Sequence, residues 1–151
     1  MRVQDSFLLS ATIEDVWQLF MNAEKLGRCV PGCEEVTSIS PTEYKAKMEV
    51  KIQFMKLAFD AKGELKNSIF HESIEVEMIG KPLALAGLFR SQMKLQLEEI
   101  EPQVVKVFYD MDLQMTGRLA TLGEVLLKGT IKKNAEQFAE NVQQFFIEEN
   151  V

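Results

Sequence analysis

The stretch from Gly117 to Phe146 carries the pattern that most constrains the fold. Leu119, Leu122, Leu126, Ile131, Ala135, Phe138, Val142 and Phe145 recur at three-, four- and five-residue steps. That spacing approximates one apolar face at helical period. The other side holds Arg118, Glu124, Lys128, Lys132, Lys133, Glu136 and Glu140, as a solvated face should. About thirty residues at ~1.5 Å rise predict a rod of ~45 Å, longer than most helices of small domains. Such a rod needs a broad apolar surface to lie on. In its upstream half stand Gly117, Gly123 and Gly129, where each costs ~1 kcal/mol relative to alanine in a helix interior. The glycine end is therefore expected to lie close to something or to leave room beside it. The aromatic end, with Phe138, Phe145 and Phe146, is expected to be clamped to the core.

The surface for this rod comes from the preceding hundred or so residues, which alternate. Residues 2–10 read as a strand. Thr12 then resembles an N-cap, with Glu14 and Asp15 in the first turn where carboxylates suit the helix dipole. Ile13, Val16, Trp17 and Phe20 supply the apolar face of a short helix. Asn22 opens a second short helix with Ala23, Leu26 and Cys29 inward, stopped by Pro31-Gly32. Strands follow: Glu34 to Ser40, Glu43 to Phe54, Lys56 to Leu65, His71 to Ile79, Phe89 to Leu97 and Val105 to Met115. The second of these sets Tyr44, Ala46, Met48, Val50, Ile52 and Phe54 against Glu43, Lys45, Lys47, Glu49, Lys51 and Gln53, a clean period of two. One-sided alternation on consecutive strands with short connections means an antiparallel meander with one wet face. The fold class is α+β: a curved seven-stranded antiparallel sheet wrapped on a long C-terminal helix, with two short helices after the first strand. At 151 residues the chain reads as a single domain, residues 1–151.

Composition removes several function classes. The net charge of −6, with dispersed basic residues, argues against nucleic acid as a partner. No apolar run approaches the ~20 residues of a membrane span, and no signal-peptide core follows Met1, so a cytoplasmic protein is expected. Cys29 and Cys33 stand in Cys-Val-Pro-Gly-Cys, but the only histidine is His71, far away in sequence. Structural zinc normally takes about four ligands, so no metal site is expected. The motif is read as a structural turn; a disulfide across it is open, with reduced thiols the cytosolic default. No nucleophile elbow appears, and no Gly-Lys-Ser/Thr follows the late glycines, so no catalytic residue is assigned.

Two segments carry a closer likeness. "VWQLFMNAEKLGRCVPGCEEV", residues 16–36, and "YDMDLQMTGRLATLGEVLLKGTIKKNAEQFAENV", residues 109–142, resemble the G-subunit family of carbon monoxide dehydrogenase. That family lies within the START-like, birch-pollen-allergen-like helix-grip superfamily. The resemblance implies an accessory protein of molybdenum hydroxylases of the carbon monoxide dehydrogenase type. It implies a quinone-like or fatty-acid-like ligand in the grip cavity, no covalently bound cofactor, and placement at the inner face of the membrane. The chain ends at Val151 after Glu148-Glu149-Asn150, where members with a membrane role carry an apolar anchor. Stable anchoring through this chain alone is not expected, and membrane contact would be transient.

The residues point the same way. Met48, Met78, Met93, Met111 and Met115 fall on the inner parity of their strands, and methionine adapts to varied apolar shapes. A ligand cavity is therefore expected, lined by the first four of these together with Phe59, Phe89 and Tyr109 from the sheet, Leu26 and Val30 at its open end, and Leu119, Leu122 and Leu126 from the helix. Tyr109 would offer a ligand carbonyl its hydrogen bond. Leu83 and Leu85, in the apolar connection Pro82 to Leu88, would form a lid hinged at Gly80 and Gly87. The alternatives are methionine as filler of irregular core gaps, a cyclase- or hydrolase-like enzyme in the same cavity, or a docking module whose cavity is incidental.

Overall fold

The computed structural model describes residues 1–149; Asn150 and Val151, the last two residues of the chain end expected to lack an anchor, lie outside the described residues. Seven strands, β1 (Arg2–Leu9), β2 (Cys33–Ser38), β3 (Glu43–Ile52), β4 (Met55–Ile69), β5 (Ser73–Pro82), β6 (Phe89–Glu101) and β7 (Val104–Met115), form one sheet in the order β1-β7-β6-β5-β4-β3-β2. Every neighbouring pair is antiparallel. Hairpins account for β2 through β7, and only β1 is brought in from the far end of the sequence. Helices α1 (Ile13–Phe20) and α2 (Ala23–Gly27) follow β1, and α3 (Glu124–Glu149) closes the chain. Both expected caps form: the Thr12 hydroxyl accepts from the Asp15 N–H, and the Asn22 amide oxygen accepts from the Lys25 N–H.

The long helix begins later than its periodicity predicts. Gly117–Leu122 is a separate 3₁₀ turn, and Gly123 breaks the path with φ +89°. The three glycines take three different roles. A Cβ on Gly117 would stand 2.6 Å from the Ala86 carbonyl oxygen, so that glycine permits close backbone approach. Gly123 supplies the left-handed kink between the two helical pieces. Gly129 sits inside α3 with nothing within 4 Å of its missing Cβ, so it leaves room.

Two apolar clusters hold the helix, one towards each end. Val142 and Phe146 pack with Leu9, Val16, Trp17, Val105 and Val107. Leu127 and Leu119 pack with Ile52, Leu57 and Phe59. Between them Ile131, Ala135 and Phe138 are only half-buried. Polar clamps fix the downstream half: the Gln143 amide accepts from the Ser10 N–H at 2.7 Å and donates to its carbonyl at 3.1 Å, while Asn141 Nδ2 donates to the Cys29 carbonyl at 2.9 Å.

Two further expectations are corrected. Phe54 is fully exposed, because it is the tip of the β3–β4 hairpin and not the last inward residue of β3. Gly80 and Gly87 are packing positions. Gly80 lies in β5 under the Phe89 ring, and a Cβ on Gly87 would stand 2.1 Å from the Thr116 carbonyl oxygen. The connection is bolted there, with Thr116 N–H donating to Leu88, Arg118 N–H to Ala86, and Leu88 N–H to the Thr116 hydroxyl.

Candidate functional site: a half-enclosed cavity under the second helix

Space remains between α2 and the concave side of β2 to β6. The cavity measures about 560 Å³. Its floor is apolar and built from period-two alternation: Met48 of β3, Leu65 of β4, Val76 and Met78 of β5, and Leu95 of β6. All five are half-buried although they face inward. Further along the floor Ile74 of β5 still lines the cavity but is buried, and Leu97 of β6 is buried outside the lining. The roof is Phe20 of α1, Ala23, Leu26 and Gly27 of α2, and Val30 in the turn that follows. Gly27 is required there, since a Cβ would stand 2.4 Å from a Val36 methyl. The exposed lining residues Met21, Asn22, Glu24, Ser38, Ser40 and Pro41 mark the mouth, between the start of α2 and the β2–β3 hairpin.

Tyr44 is the polar-tipped aromatic in this wall. Its ring lies over Gly63, its cross-strand partner on β4, where a Cβ would come within 2.1 Å of the ring edge. Burial raises the Tyr44 phenol above its ordinary pKa, so the hydroxyl stays a neutral donor. Among the described residues it has no hydrogen-bond partner of its own. Tyr109, expected in this role, is placed elsewhere. It packs 6.4 Å from Phe7, and burial first, then Asp5 and Glu136, push its phenol up.

The structure divides the expected site residues between regions. Leu26, Val30, Met48 and Met78 line the cavity. Phe59, Phe89, Leu119, Leu122, Leu126 and Leu85 belong to the second apolar cluster. Met93 and Met111 are half-buried cross-strand neighbours outside the lining. Leu83 is 66% exposed and lies on the β5–β6 connection, away from the mouth. Strand parity already pointed inward for Tyr44, Val76 and Leu95. What it could not supply is which part of the concave face the helices leave uncovered.

Neither thiol is set up for reactivity. Cys29 is buried and Cys33 half-buried on the cavity wall; both are free, and burial pushes both pKa values up. No three metal-binding side chains come together among the described residues. Since the thiolate is the nucleophile, alkylation by iodoacetamide at pH 7 should run several-fold slower than with free cysteine, and rise as pH increases. A rate matching free cysteine would show an activated thiol. His71 lies outside the cavity: at φ +62° it caps the β4–β5 turn, stacked 3.8 Å from Phe70, with Nε2 2.7 Å from Glu14.

The sequence model of the family described as the carbon monoxide dehydrogenase G-subunit (CoxG) matches residues 6–146. No functionally curated protein matches. Among solved structures, a conserved protein from Geobacillus kaustophilus is similar at 22% identity and TM-score 0.89, over 98% of this chain and 96% of that one. A START superfamily protein from Mycobacterium smegmatis follows at 12% identity and TM-score 0.75, over 99% of both chains. The ZhuI aromatase/cyclase from Streptomyces sp. R1128 is similar at 10% identity and TM-score 0.66, over 95% and 92%. At these identities the likeness to solved structures is one of fold.

Proposed function

The chain belongs to the CoxG family, the G-subunit family of carbon monoxide dehydrogenase, and from that premise we propose that it binds an apolar, quinone-like or fatty-acid-like molecule without chemically altering it. The partner is a molybdenum hydroxylase of the carbon monoxide dehydrogenase type, to which the ligand is delivered or beside which it is held. One observation supports this reading most. Met48, Leu65, Val76, Met78 and Leu95 point into the sheet's concave side and still keep accessible surface. Leaving apolar surface uncovered forgoes about 25 cal/mol per Å². A ligand that covers it recovers that term. The cavity, about 560 Å³, falls in the ordinary range of about 300–1,000 Å³ for small-molecule sites.

The polar groups suit recognition more than turnover. Tyr44 can donate to a quinone carbonyl or a carboxylate, and Ser38, Ser40 and Asn22 ring the mouth. His71 does not reach the cavity, which removes the one imidazole from acid–base work there. No helix of the described residues is long and apolar enough to cross a membrane, so exchange with a bilayer would take place at its surface.

Native mass spectrometry of the purified chain mixed with a short-tailed naphthoquinone, and separately with palmitate, tests the reading. One equivalent of either should be retained, and Tyr44→Phe should weaken retention without lowering thermal stability. Absence of uptake of both, together with no uptake of a fluorescent apolar probe, would remove the binding reading.

A further inference from the structure

A second recess lies on the other side of the Val30 to Gly32 turn. It is an open groove of about 720 Å³ between the first half of α3, the Pro31-Gly32 turn and the end of β3. It shares no lining residue with the cavity. We propose that this groove docks an extended, acidic peptide segment of a partner protein, which adds to the sheet as a strand beside Lys51.

The sheet edge is open at this point. Strand β2 pairs with β3 only as far as Cys33 opposite Met48, with one more bond from the Glu49 N–H to the Gly32 carbonyl at 2.8 Å. The chain then turns away, and Val50 to Ile52 of β3 continue without β2 beside them. Backbone direction alternates along an antiparallel strand. The two-residue loop Gln53-Phe54 sets Ile52 opposite Met55 and Val50 opposite Leu57. Residues flanking such a loop bond to each other across the hairpin. Ile52 and Val50 therefore turn their backbone groups to β4, while Glu49 and Lys51 turn theirs outward. Glu49 already bonds to Gly32. The N–H and C=O of Lys51 face the groove and, among the described residues, have no backbone partner on that side. An edge of this kind is a template for one more strand.

The helix wall leaves room for that strand. Gly129 has nothing within 4 Å of its missing Cβ, so α3 leaves a gap at the middle of the groove. Val125, 89% exposed, and the half-buried Leu126 stand on one side of that gap, and Val50 faces them from the sheet. An extended chain seated here would hydrogen-bond to Lys51 and place alternate side chains on this apolar patch.

Charge selects the occupant. The protein carries a net charge of −6, yet Lys51 and Lys133 line this groove and Lys128 and Lys132 adjoin it. Among the described residues none of these four forms an ion pair. The one carboxylate of the lining, Glu49, faces Lys56 at 4.0 Å. Along α3 the charges segregate: after Glu124 in the first turn come Lys128, Lys132 and Lys133, while Glu136, Glu140, Glu148 and Glu149 follow in the rest of the helix, with no basic residue in the last turn. The basic face thus complements acidic side chains.

The test uses the full chain, isotopically labelled for NMR, and N-acetylated heptapeptides alternating valine with glutamate or valine with lysine. The glutamate peptide should shift the amides of residues 49–53 and 125–134 and protect the Lys51 amide from exchange. N-methylating one alternate set of peptide amides should weaken binding by about tenfold or more, and methylating the other set should not. Gly129→Leu, which fills the gap at a position where leucine favours helix, should give a similar loss while uptake in the separate cavity is retained. Lys51→Glu combined with Lys133→Glu should shift the preference to the lysine peptide. Equal binding of both peptides, equal effects of the two methylation patterns, or full binding by Gly129→Leu would overturn the proposal. So would phosphatidylglycerol vesicles shifting these amides where the glutamate peptide does not, since the face would then serve a lipid surface.

Discussion

Gly32→Ala should cost the protein about 2–4 kcal/mol of stability. Its backbone sits at φ +79°, where a Cβ costs ~1–2 kcal/mol in any L-residue other than glycine. The added Cβ would also stand 2.0 Å from the Glu49 carbonyl oxygen. That contact is with backbone, so no side chain can swing clear. Relief requires the turn to move away, which breaks the 2.8 Å bond from Glu49 N–H to Gly32, worth ~1 kcal/mol. The melting temperature should fall by about 5–15 °C for a chain of this size. Gly129→Ala is the internal control. The same methyl enters open space in a helix interior, where alanine is favoured by ~1 kcal/mol, so stability should rise. Denaturant midpoints moving the same way in both variants would show that the turn is not the constraint described.

Val76→Trp should abolish ligand uptake while leaving stability within about 1 kcal/mol of the parent. Val76 is half-buried on the cavity floor, so a larger side chain grows into space and not into packed neighbours. Leu9→Ala is the opposite case. Leu9 is 1% exposed in the first apolar cluster, and truncation there should cost about 2–5 kcal/mol. Uptake by Leu9→Ala, measured below its unfolding transition, should be near that of the parent. The pair separates wall from core. Should Val76→Trp still retain naphthoquinone and palmitate, the ligand lies elsewhere; should it unfold, the cavity is packed core.

Much of the architecture was legible in the chain because it rests on local periodicity. Alternation in Glu43 to Ile52 fixed which side of β3 faces inward, and Thr12 and Asn22 marked two helix starts through a single side-chain acceptor each. Helix-grip order followed, since a long amphipathic helix has to lie on something broad, and these strands alone provide that. Phe54 shows where alternation misleads: the same parity that buries Ile52 continues into a hairpin tip, where there is no interior to face.

Glycine marks the boundary between sequence and tertiary structure most clearly. The sequence showed that Gly117, Gly123 and Gly129 break an otherwise helical pattern. Only the fold decided that the first admits a neighbouring loop, the second turns the backbone, and the third leaves a gap. A missing side chain reports that something approaches or that nothing does, and the chain alone does not distinguish the two. The cavity is divided in the same way. Inward methionine, valine and tyrosine were set by strand parity, which is a local property. Which of them line open space depends on where α2 and α3 lie across the sheet. That is decided by contacts between residues far apart in sequence, such as Gln143 with Ser10 and Asn141 with Cys29.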